Sequence, residues 1–104
     1  MIRAIPYALA AWAVVAGVAW ATIEAPPARF TQCERTATIR IVPNPNWTCR
    51  EDYGMRLWPG RVFLACYDPP SNTIVMPRDD GGKWWQELLA HEAAHECGWR
   101  HGAN

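Results

Sequence analysis

Residues 79–101 read DDGGKWWQELLAHEAAHECGWRH, and this stretch decides the architecture. Trp, Leu, Ala, Gln and Glu fill its interior without a proline, which favours a helix over residues 83–97. Asp80 stands where an N-cap would, and the pair Asp79-Asp80 suits the positive end of a helix. Gly98 sits where a left-handed residue would end it. Trp84, Leu88, His91 and His95 fall in one narrow sector of the helix. Trp84, Trp85 and Leu89 are core candidates.

Working back towards the N-terminus, the pattern changes to strands. Residues 73–76 (TIVM), stopped by Pro77, and residues 61–67 (RVFLACY) flank the loop 68–72 and predict a hairpin. Residues 73–76 are also a candidate edge strand. Residues 36–42 (TATIRIV) alternate and are β-branched, predicting a strand with Ile39 and Ile41 on one face. Pro43-Asn44-Pro45-Asn46 breaks that strand. Residues 47–60 carry no clear signal beyond the turn dipeptide Pro59-Gly60. The expected class is α+β: a small antiparallel sheet of about three strands followed by one long C-terminal helix.

The first residues belong to a different regime. Arg3 is the one charge before Glu24, and residues 4–23 between them are almost wholly apolar. With the small-residue triplet Ala19-Trp20-Ala21, this predicts an export signal over residues 1–21, cleaved after Ala21. About 20 apolar residues can also span a bilayer, so an uncleaved membrane anchor through residues 4–23 is the alternative. Residues 22–29, with Pro26-Pro27, read as a stiff linker, and residues 30–104 as the domain. Either reading puts the domain outside the cytoplasm: periplasmic, secreted, or anchored with the domain outside.

That location suits the cysteines. Cys33, Cys49, Cys66 and Cys97 are an even set in a domain too small to bury much apolar surface. Three pairings are possible. Cys33–Cys49 with Cys66–Cys97 is the expected one, since the second bond would tie a strand to the helix. No Cys-x-x-Cys pair is present to favour cysteine ligation of zinc. The formal net charge is zero, with no basic stripe, which gives nucleic acid no electrostatic footing.

All three histidines of the chain lie in residues 91–101. His91 and His95, four apart, stand one above the other on a helix, so both imidazoles can meet one ion. Glu92 lies about 100° further round and flanks that ion without having to bind it. A carboxylate there can take a proton from water acidified by zinc. A catalytic zinc usually takes three protein ligands. His101 is the third candidate, because Gly98 can adopt positive φ and turn the chain back.

This spacing resembles the long zinc signature of the metzincin peptidases, His-Glu-x-x-His-x-x-Gly-x-x-His, matched here at every specified position by His91, Glu92, His95, Gly98 and His101. The resemblance covers the helix and its exit. It implies one zinc ion held by His91, His95 and His101, with Glu92 as general base in the hydrolysis of a peptide or protein substrate. It also implies a reduced zincin, since no methionine-containing turn follows His101. Met55 or Met76 could pack beneath the site instead. In zincins generally, an edge strand near the active-site helix holds extended peptide by strand addition. Tyr53, Tyr67 and Arg100 are oxyanion-stabilising candidates by residue type alone. Glu96 is expected to face solvent or cap a neighbour. Two other readings stay open. One is a non-catalytic zinc-stabilised module, its shell closed by a reduced Cys97. The other is a membrane-anchored phage or bacterial accessory protein whose helix is only a packing element.

Overall fold

A computed structural model describes residues 23–101. The expected export or anchor segment, apart from its last residue Ile23, lies outside them. Among the described residues no helix is long and apolar enough to cross a membrane.

The domain is α+β. After a 3-10 turn at Ala28–Phe30 come β1 (Thr38–Ile41), α1 (Pro45–Glu51), β2 (Cys66–Asp68), β3 (Thr73–Met76) and α2 (Lys83–Glu96). The sheet is mixed, in the order β1-β3-β2. β2 and β3 form the expected antiparallel hairpin, Cys66 facing Val75 and Asp68 facing Thr73. Its turn is held by Asp68 Oδ2, which accepts from the Ser71 amide and hydroxyl, and by Asn72 at φ 50°. β1, however, runs parallel to β3, with Thr38 beside Thr73 and Ile41 beside Met76, so the sheet is not wholly antiparallel.

β3 is therefore the central strand, which corrects the expectation of an edge strand at residues 73–76. The reason is burial: all four of its residues are buried, while all four of β1 are exposed. A short strand apolar on both faces needs a cover on each side. Ile74 and Met76 pack with Ala65, Trp85, Leu88 and Ala93 on the α2 side. Val75 packs with Val42, Cys49 and Cys66 on the α1 side. Ile39 and Ile41, next to Ile74 and Met76 in register, remain 45% and 50% exposed. β2 is shorter than residues 61–67 predict. The hairpin register extended beyond Cys66 and Val75 would soon set the ladder against Pro77, which has no amide to donate.

α1 occupies the stretch that carried no clear signal. Asn44 is its N-cap, its side chain accepting from the Trp47 amide at 3.1 Å, and Pro45 fills the first helical position. α2 starts at Lys83, as expected, but two residues later than an Asp80 cap requires. Gly82 is its N-cap, while Asp79 and Asp80 instead accept from the Gly81 and Gly82 amides in the loop. The helix end is as expected. Gly98 lies at φ 100°, its amide donates to His95 O, and the Trp99 amide donates to Ala94 O at 3.0 Å. That pair of bonds is the Schellman motif.

The disulfides are Cys33–Cys97 and Cys49–Cys66, which corrects both expected pairs. α1 lays Cys49 against the sheet face that carries Cys66, their Cα atoms 6.3 Å apart. The chain around Cys33 runs past the end of α2 instead. There Glu96 Oε2 accepts from the amides of Thr36 (2.7 Å) and Ala37 (2.9 Å), so Glu96 caps a neighbouring segment. Both bridges are consistent with an oxidising location.

Candidate metal centre

The turn at Gly98 sends Trp99 beneath the helix end and returns His101 to the face that carries His91 and His95. The three Nε2 atoms converge: 3.2 Å between His91 and His95, 3.1 Å between His95 and His101, and 3.3 Å between His91 and His101. The group could hold a metal ion. His91 is buried, His95 half-buried and His101 exposed, so the site opens on one side.

Each ring is also held from behind. His91 Nδ1 donates to the backbone carbonyl of Glu24 at 2.7 Å. His95 Nδ1 donates to the carbonyl of Trp99 at 2.8 Å. His101 Nδ1 lies 3.4 Å from Glu24 Oε1. A proton on Nδ1 leaves Nε2 bare, the tautomer that binds a metal. Burial lowers the pKa of both His91 and His95, which favours the same neutral form. The Trp99 indole, 1% exposed, is the common floor: its ring centroid is 4.9 Å from His91, 4.9 Å from His95 and 5.0 Å from His101.

Glu92 is buried beside the group, and burial pushes its carboxyl up to about 8. It lines an open cleft of about 650 Å³ together with the three histidines. Met55, Val62, Leu64 and Leu88 supply apolar wall, and Arg61 and Arg100 are the cleft's cationic side chains. Residues 61–65, which precede β2, therefore flank the histidines as loop rather than as strand.

The other candidates sort by position. Met76 is fully buried in the core on the α2 side, whereas Met55 lines the cleft. Tyr53 lies elsewhere, its hydroxyl accepting from Arg40. Tyr67 lines the cleft, but its hydroxyl donates to Asn72 Oδ1 at 2.8 Å. Desolvation raises the pKa of that phenol. Arg100 lines the cleft and donates to Trp99 O. Trp85 is core, its indole N–H donating to Pro77 O. Cys97 is bonded to Cys33, which removes it as a fourth ligand.

Two contributors lie outside the residues that the sequence motif names. Trp99 could have been suspected, since a Schellman turn commonly carries an apolar residue just after its glycine. Glu24 could not, lying 67 residues before His91. Comparison with family models, with curated protein sequences and with solved structures finds no match to this chain.

Proposed function

We propose that this chain is a metzincin-like zinc metallopeptidase acting outside the cytoplasm on a peptide or protein substrate. The observation that carries the reading is the convergence of three Nε2 atoms at 3.1–3.3 Å beside a buried carboxylic acid. Tetrahedral zinc with Zn–N bonds of about 2.0–2.1 Å sets neighbouring nitrogens about 3.3 Å apart, so the donor set fits this metal. His91, His95 and His101 would hold it, leaving a fourth position on the open side. What zinc supplies when bound is Lewis acidity, which acidifies water and polarises a carbonyl.

The chain's own groups supply the rest. Glu92 is the general base: it takes the proton of the attacking water and hands it to the departing amine. Burial raises the carboxyl in the metal-free protein, and a cation held by the adjacent histidines would draw it back towards the ionised form that accepts a proton. Trp99 keeps bulk water from the back of the three rings and fixes their spacing. The apolar cleft wall beside them offers contact area for substrate side chains. The even, fully bonded cysteines and the apolar leader support export, with the domain periplasmic, secreted or anchored at the membrane.

The test is a purified, oxidised protein assayed for zinc content and for peptide hydrolysis, beside Glu92→Gln. One zinc per chain is expected in both, with hydrolysis about 10²–10⁴-fold slower in the variant. Equal hydrolysis by the two proteins removes the catalytic role. Zinc bound without hydrolysis by either turns the reading to a non-catalytic zinc module.

A further inference from the structure

Two of the three imidazoles are held by one residue outside the motif. Glu24 reaches His91 with its backbone carbonyl, at 2.7 Å from Nδ1, and His101 with its carboxylate, Oε1 at 3.4 Å from Nδ1. His95 has its own acceptor in the Trp99 carbonyl. His101 is differently placed. It lies past the helix, on the exposed turn, and among the described residues Glu24 and the Trp99 ring hold it, besides the other two imidazoles.

Glu24 is not a loose tail that happens to lie there. Its neighbour Ile23 packs against the core cluster on the α2 side. That anchor fixes where the Glu24 carbonyl points. Both residues also line the cleft. The segment directly after the apolar leader, which composition marks as linker, is thus a wall of the site.

We infer that Glu24 is a positioning residue of the metal centre, orienting His91 through its main chain and His101 through its side chain. The inference rests on the metal reading above. Acceptors behind metal-bound histidines fix the ring and its tautomer, and their loss typically weakens metal binding about 10–100-fold. The place of Glu24 in the chain adds a consequence. It lies three residues past Ala21, so processing there leaves the clamp intact, whereas trimming beyond Glu24 removes both contacts at once.

The experiment measures zinc affinity by chelator competition on the full chain, for wild type, Glu24→Ala, Glu24→Gln and Ile23→Ser. Glu24→Ala should bind zinc about tenfold more weakly. The Glu24 side chain is half exposed, so the metal-free unfolding midpoint of this variant should equal that of wild type. Glu24→Gln, which keeps an acceptor oxygen, should recover part of the loss. Ile23→Ser should weaken binding by freeing the carbonyl. The inference is overturned by a Glu24→Ala affinity equal to wild type, by no recovery in Glu24→Gln, or by a loss matched by an equal fall in metal-free stability. Wild type without stoichiometric zinc would instead sink the metal reading itself.

Discussion

Trp99 holds His95 by face and by edge at once: the two rings stack at 4.9 Å and 13°, and the Trp99 carbonyl accepts from His95 Nδ1 at 2.8 Å. The residue is also among the largest fully buried side chains. Truncation to Ala keeps the carbonyl and removes the floor. Trp99→Ala should therefore cost about 3–5 kcal/mol in chemical denaturation and weaken zinc binding as well. Trp99→Phe, which refills much of the space, should lie between it and wild type. Unchanged zinc affinity in the Ala variant would show that the indole does not space the rings.

Glu92 gives a pH dependence to the metal-free protein. Its carboxyl is pushed up to about 8 in the fold, against an ordinary 4.5 in the unfolded chain. Between those values the unfolded chain has lost the proton and the fold retains it, so stability falls as pH rises, by up to about 1.4 kcal/mol per unit. His91 and His95 are shifted down, so their contribution rises with pH and is complete near their ordinary 6.5. The window from 6.5 to 8 thus isolates Glu92. Urea unfolding of the metal-free protein should show wild type losing about 2 kcal/mol across it while Glu92→Gln stays level. Parallel profiles would contradict this.

Gly98 sits at φ 100°, where a Cβ is disfavoured even though nothing stands within 4 Å of it. Gly98→Ala should cost about 1–2 kcal/mol from backbone strain alone. Relief of that strain rotates the exit turn and displaces His101. Zinc affinity should fall with stability, whereas an Ala substitution at exposed Gln86 within α2 should change neither. Undiminished zinc binding in Gly98→Ala would show that His101 does not depend on the turn.

The two disulfides should contribute unequally. Cys33–Cys97 closes a sequence separation of 64 residues and Cys49–Cys66 one of 17. Chain entropy assigns about 4 kcal/mol to the first and about 3 kcal/mol to the second. Paired Ser replacements compared by denaturant titration check the order. Only loss of Cys33–Cys97 should also weaken zinc binding, because Cys97 lies between His95 and His101. The reverse pattern would place the metal centre under the control of the α1 side.

How far the chain could be read in advance depended on how local each cause is. The bounds of α2, the Gly98 turn and the His91-Glu92-His95 face rest on neighbours within a few residues, and all stand in the fold. The Asn44-Pro45 start of α1 was equally local but lay under the apparent strand break at Pro43-Asn44-Pro45-Asn46. The parallel pairing of β1 with β3 was not legible, since residues 38–41 carry no mark of which neighbour they will meet. The same holds for Cys33 and Cys97, brought together by the Glu96 clamp on Thr36 and Ala37. Glu24 is the extreme case: its role at the site exists only once the two ends of the domain have met.

The bridges are nested, Cys49–Cys66 lying inside Cys33–Cys97. Thiols leave the ribosome in the order 33, 49, 66, 97, so an oxidant acting on a growing chain meets Cys33 beside Cys49 first. That early product is a mismatch. Correct pairing requires either that Cys33 wait until nearly the whole polypeptide is made, or that a thiol exchange later undo the premature bond. Yield from cells should therefore track disulfide isomerase supply more closely than oxidant supply.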